Sequence, residues 1–138
     1  MSARKRTRTQ RCGKEDARTR WGRARAFLDA AELMGAEENQ LATPSVAAAL
    51  AVLAGIAASD AACCAALGQR SRGDDHRQAL ALLGQVTPQG AAMRRDLGRL
   101  LTIKDDAHYG TLDVSRARAA AAVRQARRLV EAAERLVR

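Results

Sequence analysis

Five residues carry most of the chemistry this chain could perform: Asp60, His76, Lys104, His108 and Tyr109. A histidine exchanges protons near neutral pH. A lysine ammonium can stabilise negative charge developing on a phosphate. A tyrosine can stack on a base or donate one hydrogen bond. Asp60 can fix a histidine tautomer or neutralise Lys104. Together they would suit metal-independent phosphodiester cleavage, with His108 as acid or base and Lys104 as phosphate stabiliser. The same residues would equally serve as buried polar contacts that fix helix register, with no catalysis. The two histidines and Asp60 lack metal-ligand spacing such as H-x-x-x-H, so no metal is expected. No Gly-rich phosphate loop appears, and no cofactor is expected.

The elements that must position these residues are helical. Ala, Leu, Arg, Glu and Gln dominate, and all are good helix formers. Apolar residues make up 47% but aromatics only 2%, so the core must form by close helix approach. In a first helix, from about 15 to 36, Ala17, Trp21, Ala24, Leu28 and Ala31 form a stripe. Thr43-Pro44 reads as an N-cap and first helical residue, opening a second helix. From Val46 to Leu67 that helix is apolar nearly all round, which marks a central position. Its length would allow a membrane span, but its Ala content and Asp60 argue against one. Asp74 caps a short third helix running to about Val86, with His76 facing inward. Thr87-Pro88 repeats the cap-plus-Pro start, and Gly110 stops the fourth helix. Lys104 and His108 share a face of it with Leu97, Leu100 and Leu101. Ser115 caps a fifth helix that runs to the end. The expectation is an all-α, up-and-down bundle of four main helices and a short one, spanning residues 15–138.

Charge is uneven along the chain. Residues 1–14 hold six basic residues (Arg4, Lys5, Arg6, Arg8, Arg11 and Lys14) and no acid. Such a run without periodicity reads as a disordered arm able to track phosphates. Arg70 and Arg72 lie in a basic turn that could border the cleft. Arg116, Arg124, Arg127, Arg128 and Arg135 follow the last helix and could line a groove for RNA or DNA. Cysteines 12, 63 and 64 are odd in number, and adjacent helical cysteines do not bridge each other readily. A reducing cytoplasm is the default expectation, since no secretory signal is visible.

The segment LLTIKDDAHYG, followed by the long helix A..A.RQARRLVEAAERL, resembles the C-terminal half of HEPN domains. The earlier AASDAACCAALGQRSRGDDHRQALALL resembles the family's central helix, loop and His-opened next helix. The resemblance implies a small helical bundle, often a homodimer. Many members act as metal-independent ribonucleases in toxin–antitoxin or defence systems, some beside a nucleotidyltransferase partner. The family's catalytic pair is an Arg followed after a short spacer by a His. Here Lys104 precedes His108 with three residues between, and Arg70 precedes His76 one helix too early. Lysine lacks arginine's bidentate fork. The favoured expectation is a non-catalytic or weakly catalytic module that binds nucleic acid or a partner protein. An endoribonuclease toxin and a structural adaptor are the alternatives.

Overall fold

The computed structural model describes residues 8–37, 42–73, 76–109 and 113–138, apart from the side chains of Asp105, His108 and Tyr109. The elements are β1 (Thr9–Arg11), α1 (Lys14–Gly35), α2 (Thr43–Leu67), β2 (Gln69–Ser71), α3 (His76–Gly84), α4 (Gly90–Tyr109) and α5 (Arg116–Val137). The architecture is the expected all-α bundle, with a two-stranded ribbon added.

Helix α2 is the hub and packs against α1, α3, α4 and α5. Its buried residues are mostly alanine, so neighbouring backbones come close. Gly55 marks a close approach: a Cβ there would collide with Leu100 and press on Leu129. Although α2 is long and apolar enough to cross a membrane, most of its surface is covered by the other helices. The α1 stripe is buried at Ala17, Ala24, Leu28 and Ala31. The Trp21 indole N–H donates to the Val130 carbonyl of α5 at 3.1 Å. Ser115 caps α5 as expected, its hydroxyl accepting from the Arg118 N–H at 3.2 Å.

Some boundaries differ from the expectation. Ala42, not Thr43, is the N-cap of α2, and Thr43 is buried in the first turn. Pro44 follows in that turn, where a missing N–H costs nothing. Helix α3 ends at Gly84, and Thr87–Pro88 is a cis peptide in a turn before α4. Helix α4 begins at Gly90, which abuts the end of α3. A Cβ on Gly90 would lie 3.1 Å from the Gly84 carbonyl oxygen and closer still to that of Leu83.

The largest departure concerns the basic arm. Residues 1–7 lie outside the described part, but residues 8–14 belong to the domain. Strand β1 pairs antiparallel with β2, in the register Thr9↔Ser71, Gln10↔Arg70 and Arg11↔Gln69. The Cys12 N–H bonds the Gly68 carbonyl at 3.0 Å, and the Arg72 N–H bonds that of Arg8 at 2.6 Å. Gly68 supplies the left-handed turn (φ 69°) that lets the chain leave α2 directly into β2. A disulfide joins Cys12 to Cys64 near the end of α2. Residues 9–11 of the supposed arm and residues 69–71 of the basic turn are therefore the two halves of one ribbon. Their contacts are about sixty residues apart in sequence, which local periodicity does not register.

Candidate nucleic-acid interface

The structure brings two of the five expected residues together. Lys104 Nζ lies 3.1 Å from His76 Nε2, across α4 and α3. The two nitrogens are within hydrogen-bond distance, and the histidine tautomer sets which of them donates. Ser59, Ser71, Ile56, Ala79, Leu97 and Leu101 complete a cavity of about 80 Å³. Small-molecule sites begin near 300 Å³, so this space does not take a nucleotide. Lys104 and His76 thus behave as a polar tie between helices. The side chains of His108 and Tyr109 lie outside the described part.

Asp60 is engaged elsewhere. Its Oδ2 lies 3.9 Å from both Arg20 Nη1 of α1 and Arg70 Nη1 of β2. Burial raises its carboxyl from the ordinary 3.8 to about 6, against the opposing pull of Arg20 and Arg70. Contacts of that length do not repay desolvation in full. The neighbouring Cys63 thiol is pushed up to about 12 by burial and by the Asp60 charge, against a hydrogen bond with Ser59.

The same two arginines open onto the surface. Arg20 and Arg23 of α1, Arg11 of β1 and Arg70 of β2 converge on a pocket of about 260 Å³. Gln10, Cys12, Asp16 and Thr19 complete its walls. Helical spacing brings Arg20 and Arg23 to one face, and the ribbon register sets Arg70 opposite Gln10. Gln10 Oε1 accepts from Arg70 Nη2 at 3.0 Å, and the Ser71 carbonyl accepts from Nη1 at 3.3 Å. Asp16, the acid of the wall, accepts the Gly13 N–H at 2.9 Å at the start of α1. Arg11 and Arg23 have no ion-pair partner among the described residues. Of the residues expected to bind, Arg11 and Arg70 enter this pocket. Arg8 and Arg72 are exposed on the ribbon, and Arg4, Lys5 and Arg6 lie outside the described part. Arg20 and Arg23 lie off the apolar stripe of α1, where helical spacing alone gives them no facing wall.

The arginine row of α5 is engaged only in part: Arg116, Arg124 and Arg127 line a groove, and Arg135 is exposed. Arg128 grips Asp96 of α4 with two bonds, 2.8 and 3.1 Å, and that hydrogen bonding raises its already high pKa. Arg127 binds Glu32 at 2.9 Å and Arg118 binds Asp106 at 3.2 Å. A wider groove of about 400 Å³ lies between α5, the end of α1 and the start of α2. Its floor is apolar at Met34, Pro44, Ala47 and Val123, and the Arg127–Glu32 pair neutralises part of its rim. Among the described residues no cluster of His, Cys, Asp and Glu could hold a metal ion.

No family model matches the chain, and no curated protein is significantly similar to it.

Proposed function

We propose that this protein is a non-catalytic module that binds the phosphate backbone of RNA or DNA through the pocket formed by Arg11, Arg20, Arg23 and Arg70. The observation that carries this reading is the convergence of four arginines from three elements on one open pocket. Arginine offers a planar fork of donors matched to phosphate oxygens. The pocket holds one acid, Asp16, whose carboxylate is already bound to the chain's own backbone. In the sequence, Arg8 and the basic residues 4–6 precede Arg11 and extend the positive run. The pocket reads backbone and charge, so little base specificity is expected. The reading rests on these residues and not on the HEPN resemblance.

The non-catalytic part of this reading is supported by the Lys104–His76 contact, which engages the expected phosphate stabiliser inside a small cavity. The test is a titration of RNA and of DNA at several salt concentrations. Affinity should fall as salt rises, because neutralised phosphates release counterions. Replacing Arg20 and Arg23 together by Ala should weaken binding roughly tenfold and lower the salt slope by about two. Unchanged affinity in that variant would sink the proposal. RNA incubated with the protein in EDTA should stay intact, and His108→Ala should change nothing.

A further inference from the structure

We infer that the Cys12–Cys64 bond gates the arginine pocket, so that the oxidised chain holds phosphate there and the reduced chain holds it only weakly. The inference rests on the phosphate-binding reading above and names its regulation. Strands β1 and β2 are three residues each, and two such strands alone are barely stable. The disulfide anchors β1 to the central helix, since Cys64 is 3% exposed within α2. Cys12 also lines the pocket, immediately after Arg11. Two features of the site therefore depend on where the bond holds β1. One is the Arg11 side chain. The other is Gln10, whose Oε1 orients the Arg70 guanidinium. When the strand is released, Arg11 leaves, and Arg70 keeps its 3.9 Å approach to Asp60 without the opposing Gln10 bond.

The redox step is thiol–disulfide exchange with a small dithiol or its disulfide. Cys12 lines the open pocket whereas Cys64 is buried in α2, so the dithiol thiolate attacks the Cys12 sulfur, breaks the Cys12–Cys64 bond and expels the Cys64 thiolate, which takes up a proton. The second dithiol sulfur, losing its proton, then attacks the mixed disulfide and releases Cys12, leaving two protein thiols and one cyclic disulfide. Oxidation by the same class of disulfide runs in reverse. Cys63 stays a buried thiol at neutral pH and does not compete with its neighbour. A reducing compartment would hold the chain in its open, weakly binding form, and oxidation would switch it on.

The full chain should be titrated with a short fluorescein-labelled single-stranded RNA, oxidised and then reduced by dithiothreitol, with inorganic phosphate as competitor. The expected result is roughly tenfold weaker binding on reduction and in Cys12→Ser, with helical circular dichroism retained. Cys63→Ser should behave as wild type. Equal affinity in both redox states overturns the gate and leaves the phosphate reading standing. No binding by the oxidised chain overturns the phosphate reading itself, and the gate with it. Amide exchange gives an answer even if reduction loosens the bundle. The Cys12 and Arg72 N–H groups should lose protection on reduction well before those of α2. Protection retained at both in the reduced chain overturns the gate.

Discussion

At the scale of single residues, Asp60 and Asp96 show how one residue type takes opposite roles. Asp60 is placed where burial wins over two distant arginines, and its carboxyl protonates near pH 6 against an ordinary 3.8. Between those values the folded chain holds a proton that the unfolded chain has lost. Stability from this group therefore falls as pH rises from about 4 to about 6, and the loss is complete above that range. Asp60→Asn should stabilise the protein by roughly 1–3 kcal/mol at pH 7 and flatten that slope, as chemical denaturation at several pH values would show. Arg20 of α1, Arg70 of β2 and the neighbouring Cys63 thiol are the titratable groups known to act on Asp60 or to feel its charge. Protonating it below pH 6 frees both arginines, so RNA affinity should rise there and become pH-independent in Asp60→Asn. Asp96, by contrast, meets Arg128 in a short two-bond fork joining α4 to α5. Asp96→Ala should cost about 2 kcal/mol, with Arg128→Ala adding little on top. Asp60 stood out in the sequence as a lone acid in an apolar run. Asp96 did not, because its partner is thirty-two residues away and its own helix looks polar there.

At the scale of elements, helices were legible because each repeats its apolar residues with the helical period over many turns. Ala17, Ala24, Leu28 and Ala31 are buried as their spacing implies, and so are Ala119, Ala122, Ala126 and Leu129. The ribbon was illegible because three residues hold no period, and its partners lie on the far side of two helices. Pairing of Cys12 with Cys64 was hidden for the same reason, and the adjacent Cys63 masked it further. The candidate site is half visible in the sequence: Arg11 and Arg70 stand in basic runs, while Arg20 and Arg23 need the ribbon to give them a facing wall. An alanine-lined core also makes a sharp prediction about α2. Gly55→Ala, which favours helix by propensity, should destabilise by roughly 1–3 kcal/mol because Leu100 and Leu129 already fill that space. A melt showing Gly55→Ala more stable than wild type would contradict the close crossing.

At the scale of the whole molecule, the disulfide closes a loop of 52 residues that contains α1 and nearly all of α2. Loop-closure entropy assigns such a bond about 4 kcal/mol. Reduction should therefore lower the melting temperature by on the order of 10 °C, and scanning calorimetry with and without dithiothreitol would measure it. A shift of only a degree or two would show that α1 and α2 hold together without the bond. The hydrogen bond from Trp21 to Val130 has a practical consequence of its own. It links the first helix to the last, and the chain contains no other tryptophan. Indole emission is thus a single optical channel on whether the two ends of the chain remain closed against each other. It can be followed in the same cuvette as labelled RNA. Loss of the pocket and opening of the bundle would then appear as separate signals in one titration.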